Sequence, residues 1–239
     1  MNDLTVVMPV YNEAACIQDV VRAWIAMLDR LAIRYTLLVI NDGSRDETQA
    51  RLAALAGTPN LSVLDKPNEG HGPTILRGYR LACDQSEWVF QTDSDDEIAP
   101  DDFPDFWAKR ETADFLFGER QGRIQSGGRR LLSCGSRLLV RLLCGQGPGD
   151  ANVPYRLMRA SRLKPLLNVV PADTFAPNVA ITGLALRRRA RVVALPVQHR
   201  ERQTGSTTLA SWRLVRVATR SFIQIGRILW RNRKAPCAS

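Results

Sequence analysis

The chain has 239 residues and a mass of 26.7 kDa, with 45% hydrophobic and 24% charged residues, which is enough for one globular domain with a buried core. This composition excludes disordered, collagen-like and low-complexity architectures. No run approaches the roughly 18 apolar residues of a membrane-spanning helix, and the N-terminus lacks the basic and apolar regions of a signal peptide. We therefore expect neither a membrane span nor a cleaved leader.

The charge is divided unevenly along the chain. Residues 1–119 hold 10 Lys and Arg against 21 Asp and Glu, a net charge of −11, whereas residues 120–239 hold 23 against 3, a net charge of +20. Opposite signs of this size indicate that one half binds a cation and the other an anion, and a metal ion and a phosphate would fit. The alternative is that the two solvated surfaces simply differ in charge.

Cysteine and histidine usage limits the chemistry. The five cysteines lack CxxC spacing, which argues against a disulfide framework or a zinc ribbon and favours a reducing cytosol. With only two histidines, a histidine-based zinc site is nearly excluded. A catalytic metal would have to be bound by carboxylates, which favours Mg²⁺ or Mn²⁺.

Strand and helix patterns alternate through the first hundred residues. Short apolar runs predict strands at 4–10, 35–40, 61–64 and 88–91. Apolar residues at helical spacing predict helices at 13–31, 46–55 and 74–83. This alternation is typical of an α/β fold with a doubly wound, mostly parallel sheet and helices on both faces.

The carboxyl ends of parallel strands line the binding crevice of such a sheet. The residues at these ends are Pro9, Tyr11, Glu13, Asp42, the 68–72 loop, Asp93 and Asp95. Neither GxGxxG nor GxxxxGK[ST] follows the first strand, so a dinucleotide-binding or P-loop site is not supported.

Paired aspartates follow the fourth strand. Asp93 and Asp95 are two residues apart, so on an extended segment their side chains point the same way. Two carboxylates at a sheet edge can bind a divalent cation whose remaining ligands are phosphate oxygens and water, but the run is equally consistent with an acidic loop that caps a helix. Asp42 and His71, each beside glycine, are consistent with turn or surface roles when taken alone.

Taken together, these motifs resemble the family-2 glycosyltransferases with the GT-A fold. Within that family they resemble the polyprenyl-phosphate branch, which includes the dolichyl-phosphate mannose synthases. The resemblance runs in the expected order from residue 4 to about residue 208. It is carried by Val7-Met8-Pro9-Val10-Tyr11-Asn12-Glu13, Asn41-Asp42-Gly43-Ser44, Asn68-Glu69-Gly70, Asp93-Ser94-Asp95, Asp150 with Pro154-Tyr155-Arg156-Leu157, and Arg202-Gln203-Thr204-Gly205-Ser206.

The resemblance assigns the acidic half to the nucleotide-sugar and the metal. The implied nucleotide-sugar-binding residues are Pro9, Tyr11, Glu13, Asp42, Gly70 and Asp93. The implied ligands of Mg²⁺ or Mn²⁺ are Asp93, Asp95 and Glu97, and Asp95 is also implied in catalysis. Glu97 departs from the pattern, because relatives often have Gln there; it either tightens metal binding or faces solvent.

The resemblance assigns the basic half to the acceptor. It implies that Arg120, Arg129 and Ser133 bind the acceptor phosphate, since guanidinium groups match phosphate oxygens in geometry. Arg129 and Ser133 are four residues apart and would share one face of a helix. The alternative is a solvated basic helix, because further arginines crowd the same stretch.

Two further residues are implied in catalysis. Asp150 matches the position proposed as catalytic base in related enzymes, yet a phosphate acceptor is already anionic near neutrality, and Asp150 would then orient groups instead. Arg202 would stabilise the charge that develops on the leaving nucleotide. Relatives commonly have Lys after the Ser of the last motif, where this chain has Thr207.

Residues 211–239 are predicted to hold a basic amphipathic helix and a tail. Arginines fall on one helical face and Trp212, Val215, Phe222, Ile225 and Leu229 on another, a pattern typical of a helix lying in a membrane interface. The same pattern fits a helix packed on the domain or at a dimer contact.

We therefore predict one glycosyltransferase domain over residues 1–210, acidic over 1–119 and basic over 120–210. The predicted reaction is inverting, metal-dependent transfer of a hexose from a UDP-, GDP- or dTDP-sugar to a polyprenyl phosphate of the dolichyl or undecaprenyl type. The protein is expected to be cytoplasmic and peripheral at the inner face of the cell membrane, with its oligomeric state open.

Two alternatives compete with this prediction. The nearest is a soluble family member that glycosylates a sugar hydroxyl, with Asp150 as a true base. The other is a nucleic-acid-binding module that uses the basic half. The acidic half and the lack of a recognised nucleic-acid motif argue against that module, so no nucleic-acid partner is expected.

Overall fold

A computed structural model describes residues 1–121, 150–198 and 211–232. The strands are β1 (Asn2–Val10), β2 (Tyr35–Asp42), β3 (Leu61–Lys66), β4 (Ser86–Gln91), β5 (Phe115–Gln121), β6 (Arg156–Arg159) and β7 (Val192–Gln198). They form one sheet in the order β3-β2-β1-β4-β6-β5-β7.

Helices connect most of these strands. They are α1 (Ile17–Arg30), α2 (Thr48–Ala53), α3 (His71–Gln85), α4 (Phe103–Ala108), α5 (Ala160–Leu167), α6 (Pro177–Arg187) and α7 (Ser211–Arg231). Short 3-10 helices at Pro100–Asp102 and Arg110–Thr112 flank α4. The predicted alternation of strands and helices through residue 91 is confirmed, with boundaries shifted by a few residues.

The sheet is mostly parallel, as predicted. Strands β1 to β4 pair in parallel with β1 and β2 at the centre, because each crossover carries a helix that returns the chain to the same edge. Strand β6 runs antiparallel to both neighbours, β4 and β5, and β7 is parallel to β5. The carboxyl ends of β1, β2 and β4 therefore meet at one edge of the sheet, which also holds the amino end of β6.

An aromatic cluster packs beneath that edge. The Phe90 ring centroid lies 4.7 Å from those of Phe103 and Tyr155, in edge-to-face geometry, and Trp24 of α1 closes the cluster at 5.4 Å from Phe90. All four side chains are buried. Burial of this size stabilises the junction of α1, β4 and α4 and fixes the segment that enters β6.

Two residues of the predicted apolar stripe of the C-terminal helix α7 pack on the domain. Ile225 and Leu229 are buried, and Arg187 of α6 donates a hydrogen bond of 2.9 Å to the Leu229 carbonyl. The sequence pattern allowed packing on a membrane or on the protein, and these two residues pack on the protein. Arg220 and Arg227 lie on the exposed side of the helix.

The helices that the structure describes are amphipathic or short. Within residues 1–121, 150–198 and 211–232, none of them is both long and apolar enough to cross a membrane.

Helix α3 lies unusually close to the sheet at Gly78. A Cβ atom there would lie 2.3 Å from Val7 Cγ1 and 2.9 Å from Ile40 Cδ1, both in the packed core. The absence of a side chain at this position lets the helix approach β1 and β2.

We expect Gly78→Ala to lower the free energy of unfolding by about 1–3 kcal/mol, because the new methyl group forces the core apart. Gly226→Ala is the matched control: a Cβ in that helix meets nothing within 4 Å, and alanine favours helix by up to about 1 kcal/mol. Urea unfolding measures both. Equal stability of the two variants would contradict the close approach of α3.

Candidate active site

The candidate site lies at the carboxyl edge of the sheet, where β1, β2 and β4 end side by side. In the parallel register Val10 of β1 lies opposite Asn41 of β2, and Val7 lies opposite Gln91 of β4. Tyr11, Asp42 and Asp93 lie at or directly after the ends of these three strands, at the same edge of the sheet. The sequence prediction that these strand ends converge is confirmed.

Asp42 anchors the loop that follows β3. Its carboxylate accepts hydrogen bonds from the backbone N–H of Glu69 and of Gly70, each 2.9 Å long, and forms a buried ion pair with Lys66. Asn68 Nδ2 also donates to the Asp42 carbonyl at 2.8 Å. Both charged side chains of the pair are almost fully buried, so Asp42 lies beneath the loop and holds it in place.

Lys66 holds the loop at the candidate site in place, a role that sequence reasoning missed. Its ammonium group contacts Asp42, Glu69 Oε2 at 3.0 Å and the Pro67 carbonyl at 3.1 Å. A lysine at the end of an apolar strand, two residues before Asn68, carries no signal of this role by itself. The contact of Asp42 with a nucleotide stays a prediction, because its carboxylate oxygens already accept these bonds.

Gly43 and Gly70 permit this close arrangement. A Cβ on Gly43 would lie 2.7 Å from the Asn68 nitrogen, and both glycines have φ in the left-handed region, at +64° and +96°. The backbone of the predicted nucleotide-binding loop therefore lies directly over the end of β2.

The β1–α1 turn is tied to the β2–α2 turn. Asn12 donates its backbone N–H to Ser44 Oγ at 3.0 Å and accepts from the Arg45 N–H at 2.8 Å. The Glu13 N–H donates to Thr48 Oγ1 at 2.9 Å. These bonds fix the turn that presents Tyr11, whose ring is 42% exposed at the crevice.

The acidic segment follows directly after β4 at this edge of the sheet. Asp93 is partly buried, accepts a hydrogen bond from Gln91 Nε2 at 3.2 Å, and lies 3.7 Å from His71 Nε2. Burial raises the pKa of the Asp93 carboxyl, and Glu97 adds to this, whereas His71 and Arg120 oppose it. Asp95 Oδ1 accepts from the Glu97 N–H at 3.2 Å.

Cys16 at the start of α1 contacts this acidic segment. Its thiol donates to the Ser94 carbonyl at 3.5 Å. Burial and, to a smaller extent, the neighbouring Glu13 carboxylate raise the pKa of the Cys16 thiol to about 11. The thiol is therefore protonated at neutral pH, which suits a packing role better than a nucleophilic one.

The donor set fits a divalent cation that shares its ligands with a phosphate. Asp93 and Asp95 supply the hard carboxylate oxygens that Mg²⁺ and Mn²⁺ prefer. Within the described ranges 1–121, 150–198 and 211–232, no three His, Cys, Asp or Glu side chains are grouped closely enough to hold a metal ion. A cation here would need oxygens from the substrate, as in sites built from one or two carboxylates and a diphosphate.

Arg120, near the end of β5, lies close to Asp93 and pairs with Asp150. Arg120 NH1 lies 3.9 Å from Asp150 Oδ2, and the Arg120 side chain is 11% exposed. Among the described residues, Arg120 Nε is buried and has no hydrogen-bond partner. A buried guanidinium with unused donor capacity fits an anionic ligand. Asp150 also accepts from the Asn152 N–H at 3.1 Å, which shapes its loop.

The structure describes two of the remaining predicted site residues. Pro9 is buried at the end of β1, and Glu97 is half-buried two residues after Asp95. Arg129, Ser133 and Arg202 lie outside the described residues, so their roles stay predictions.

A family model for glycosyl transferase family 2 matches residues 5–160, well over half of the chain and including Tyr11, Asp42, Asp93 and Asp150. The chain belongs to glycosyl transferase family 2. The family predicted from the sequence motifs is therefore confirmed.

Curated relatives extend this match. An undecaprenyl-phosphate 4-deoxy-4-formamido-L-arabinose transferase of Klebsiella pneumoniae is 30% identical over 216 residues, which make up 89% of this chain and 64% of that protein. The transferase of the same description from Sodalis glossinidius is 26% identical over 219 residues, 90% of this chain and 65% of that protein. The chain therefore spans just under two thirds of the length of these relatives.

Solved structures share the fold. Glucosyl-3-phosphoglycerate synthase from Mycobacterium tuberculosis, in complex with Mn²⁺, UDP and glucosyl-3-phosphoglycerate, superposes with a TM-score of 0.70 at 16% identity, covering 96% of this chain and 80% of that one. Its complex with Mn²⁺ and UDP-glucose gives a TM-score of 0.69 at 15% identity, covering 96% and 79%. The predicted GT-A fold is confirmed.

The buried Lys66–Asp42 pair generates a stability prediction. We expect Lys66→Met to lower the free energy of unfolding by about 3 kcal/mol or more, because it leaves a buried carboxylate without its counter-charge. Lys164→Met is the matched control: Lys164 Nζ lies 2.6 Å from Asp84, but both side chains are more than half exposed, so we expect a change of about 0–1 kcal/mol. Urea unfolding of both variants measures the difference, and similar losses would contradict the buried role of Lys66.

Proposed function

We propose that this chain transfers a hexose from a nucleotide-sugar to a polyprenyl phosphate, with inversion at the anomeric carbon and with a divalent metal ion, at the cytoplasmic face of the cell membrane. The observation that carries the proposal is that Arg120, which pairs with Asp150 at 3.9 Å, lies close enough to Asp93 to oppose the rise in the pKa of that carboxyl. A carboxylate suited to a cation and a guanidinium suited to a phosphate are therefore neighbours at this edge of the sheet.

The relatives support a nucleotide-sugar donor and a polyprenyl phosphate acceptor, whereas the sugar in the names of the curated relatives is a pentose derivative and not a hexose. The curated relatives are described as transferases that act on undecaprenyl phosphate, and the structural neighbour was solved with Mn²⁺ and UDP-glucose. The nucleotide of the donor is left open among UDP, GDP and dTDP, because pocket discrimination depends on loop contacts that the motifs do not encode.

In this proposal the acidic side binds the donor. Asp93 and Asp95 would hold Mg²⁺ or Mn²⁺ together with the donor diphosphate, and Glu97 lies beside them. Bound there, the cation supplies positive charge that offsets the charge developing on the leaving diphosphate. Tyr11 has an exposed side chain at the same edge of the sheet, where Asp42 holds the 68–70 loop in place.

The basic side would bind the acceptor. Arg120 has unused donor capacity in the described structure and faces the acidic segment, so it is suited to orient an incoming phosphate for in-line attack. A phosphate acceptor is already ionised near pH 7 and needs no general base. Asp150, 3.9 Å from Arg120, would then hold the guanidinium in place. Arg129 and Ser133 would complete the acceptor-phosphate contacts, and Arg202 would stabilise the charge that develops on the leaving nucleotide.

The exposed face of α7 supports contact with an anionic membrane. Arg220, Arg227 and Arg231 share this face with Ile223 and Trp230, whose side chains are 50% and 61% exposed. Basic residues interleaved with exposed apolar side chains are typical of a surface that lies on anionic lipid headgroups. The membrane face we propose is therefore this arginine face, whereas Ile225 and Leu229 of the predicted apolar stripe pack inward.

We expect Asp95→Asn to lower nucleotide diphosphate release by about 1000-fold or more at saturating Mn²⁺, because metal-assisted charge stabilisation is worth several kcal/mol. Asp96→Asn is the matched control: Asp96 is exposed, and its φ of 56° suits asparagine. Circular dichroism and the unfolding midpoint should be unchanged in both variants. Activity of Asp95→Asn within tenfold of the unmodified enzyme would remove Asp95 from the metal site.

The acceptor class is tested by a panel of UDP-, GDP- and dTDP-sugars with Mg²⁺ or Mn²⁺, with and without a short polyprenyl phosphate. We expect one donor to release nucleotide diphosphate much faster when the lipid phosphate is present. Metal-dependent turnover that ignores the lipid would overturn the lipid acceptor and favour a sugar-hydroxyl acceptor. No turnover with any donor would contradict the proposed function.

Removing three charges from α7 tests the membrane face. We expect Arg220→Gln, Arg227→Gln and Arg231→Gln together to weaken binding to phosphatidylglycerol vesicles on the order of 100-fold, at about 1 kcal/mol per arginine. The matched control replaces three exposed arginines of α1 and α3, namely Arg22, Arg30 and Arg77, with Gln. Co-sedimentation measures both. Equal losses would show that net charge alone matters and would contradict a specific membrane face.

A further inference from the structure

A buried polar network lies directly behind the candidate site. At its centre is Gln91, the last residue of β4, which is fully buried. Its Oε1 lies 2.7 Å from the Tyr79 hydroxyl and accepts a hydrogen bond from Asn178 Nδ2 at 2.8 Å. With the oxygen fixed by these donors, the amide NH₂ is turned toward Asp93, to which it donates at 3.2 Å.

The network continues from Asn178 to the loop that carries Asp150. The Asn178 carbonyl accepts a hydrogen bond of 3.2 Å from Arg156 NH1. The same guanidinium donates to the carbonyls of Val153 at 2.9 Å and Ala151 at 3.0 Å. Arg156 therefore holds three main-chain groups, two of which belong to the loop that immediately follows Asp150.

Strand pairing explains why these groups meet. In the antiparallel register of β4 and β6, Gln91 lies directly opposite Arg156. The Arg156 guanidinium also lies 4.5 Å from the centroid of the Phe117 ring of β5, which covers its face. A buried charge is costly unless its donors are satisfied, so this arrangement fixes the side chain in one position.

We propose that Tyr79, Gln91, Asn178 and Arg156 are positioning residues that set the spacing between the Asp93 carboxylate and the Asp150 loop. Each of them is at most 3% exposed, so none reaches the crevice itself. They act through Asp93 at one end of the network and through the Asp150 loop at the other. This deepens the proposed function, because the spacing between donor-binding and acceptor-binding groups limits the rate of in-line transfer.

The first test is hydrogen exchange, which does not require activity. We expect Gln91→Met to raise amide exchange about tenfold in the 150–155 segment, although the substituted residue lies on another strand. Ser86→Ala is the matched control: Ser86 is also a fully buried residue of β4, and its hydroxyl donates to main-chain carbonyls near the opposite end of that strand. In the control the exchange of 150–155 should be unchanged.

The second test is kinetic and rests on the proposed function. We expect Gln91→Met to lower kcat about 10- to 100-fold with a KM for the donor within about threefold, because misplacement of reacting groups lowers the rate more than binding. Tyr79→Phe removes a single hydroxyl and should give a smaller loss of the same kind. If Gln91→Met does not fold, Tyr79→Phe alone is used for both the exchange and the kinetic measurement.

The outcomes distinguish failure of the positioning role from failure of the proposed function. The positioning role would be overturned by unchanged amide exchange of 150–155 in both network variants. It would also be overturned by a kcat within twofold of that of the unmodified enzyme, provided that the unmodified enzyme shows transfer. A loss of kcat in Ser86→Ala as large as in the network variants would reduce the effect to general destabilisation and would also overturn it. If the unmodified protein shows no transfer, the proposed function fails, while the exchange result still decides whether the network couples its two ends.

Discussion

The architecture of the candidate site depends on the pairing of Gln91 with Arg156 across β4 and β6. Strand β4 ends the parallel part of the sheet and delivers the acidic segment with Asp93 to the carboxyl edge. Strand β6 runs the other way, so the residues that precede it, including Asp150, arrive at the same edge. Because β6, alone among the described strands, runs antiparallel to both neighbours, Asp93 of the acidic half and Asp150 of the basic half reach the same edge of the sheet.

This arrangement gives a structural explanation for the opposite net charges of the two halves of the chain. Asp93 and Asp95 approach the crevice from the acidic half, and Arg120 approaches it from the first residues of the basic half. Where charge is buried it is compensated locally: Lys66 pairs with Asp42, and Arg156 is held by carbonyl groups and an aromatic face. The charges left facing the crevice are those suited to a cation and to phosphates.

Much of the fold and part of the site could be predicted from the sequence. Alternating apolar runs identified the first four strands, and the motifs around Tyr11, Asp42 and Asp93 identified the edge where they meet. The role of Lys66 and the network around Gln91 could not be predicted, because both depend on strand register, which brings together residues far apart in the chain. The apolar stripe of α7 was compatible with a membrane or with protein, and only tertiary packing shows that Ile225 and Leu229 of this stripe lie against the protein.

A crystal structure with Mn²⁺ and the nucleoside diphosphate of the active donor tests the location of the site most directly. We expect the metal between the diphosphate and the carboxylates of Asp93 and Asp95, with Arg120 facing the phosphates from the opposite side and the base near Tyr11. Nucleotide bound elsewhere, for instance against the arginines of α7, or a metal without contact to either aspartate, would contradict the assignment of this edge as the catalytic centre.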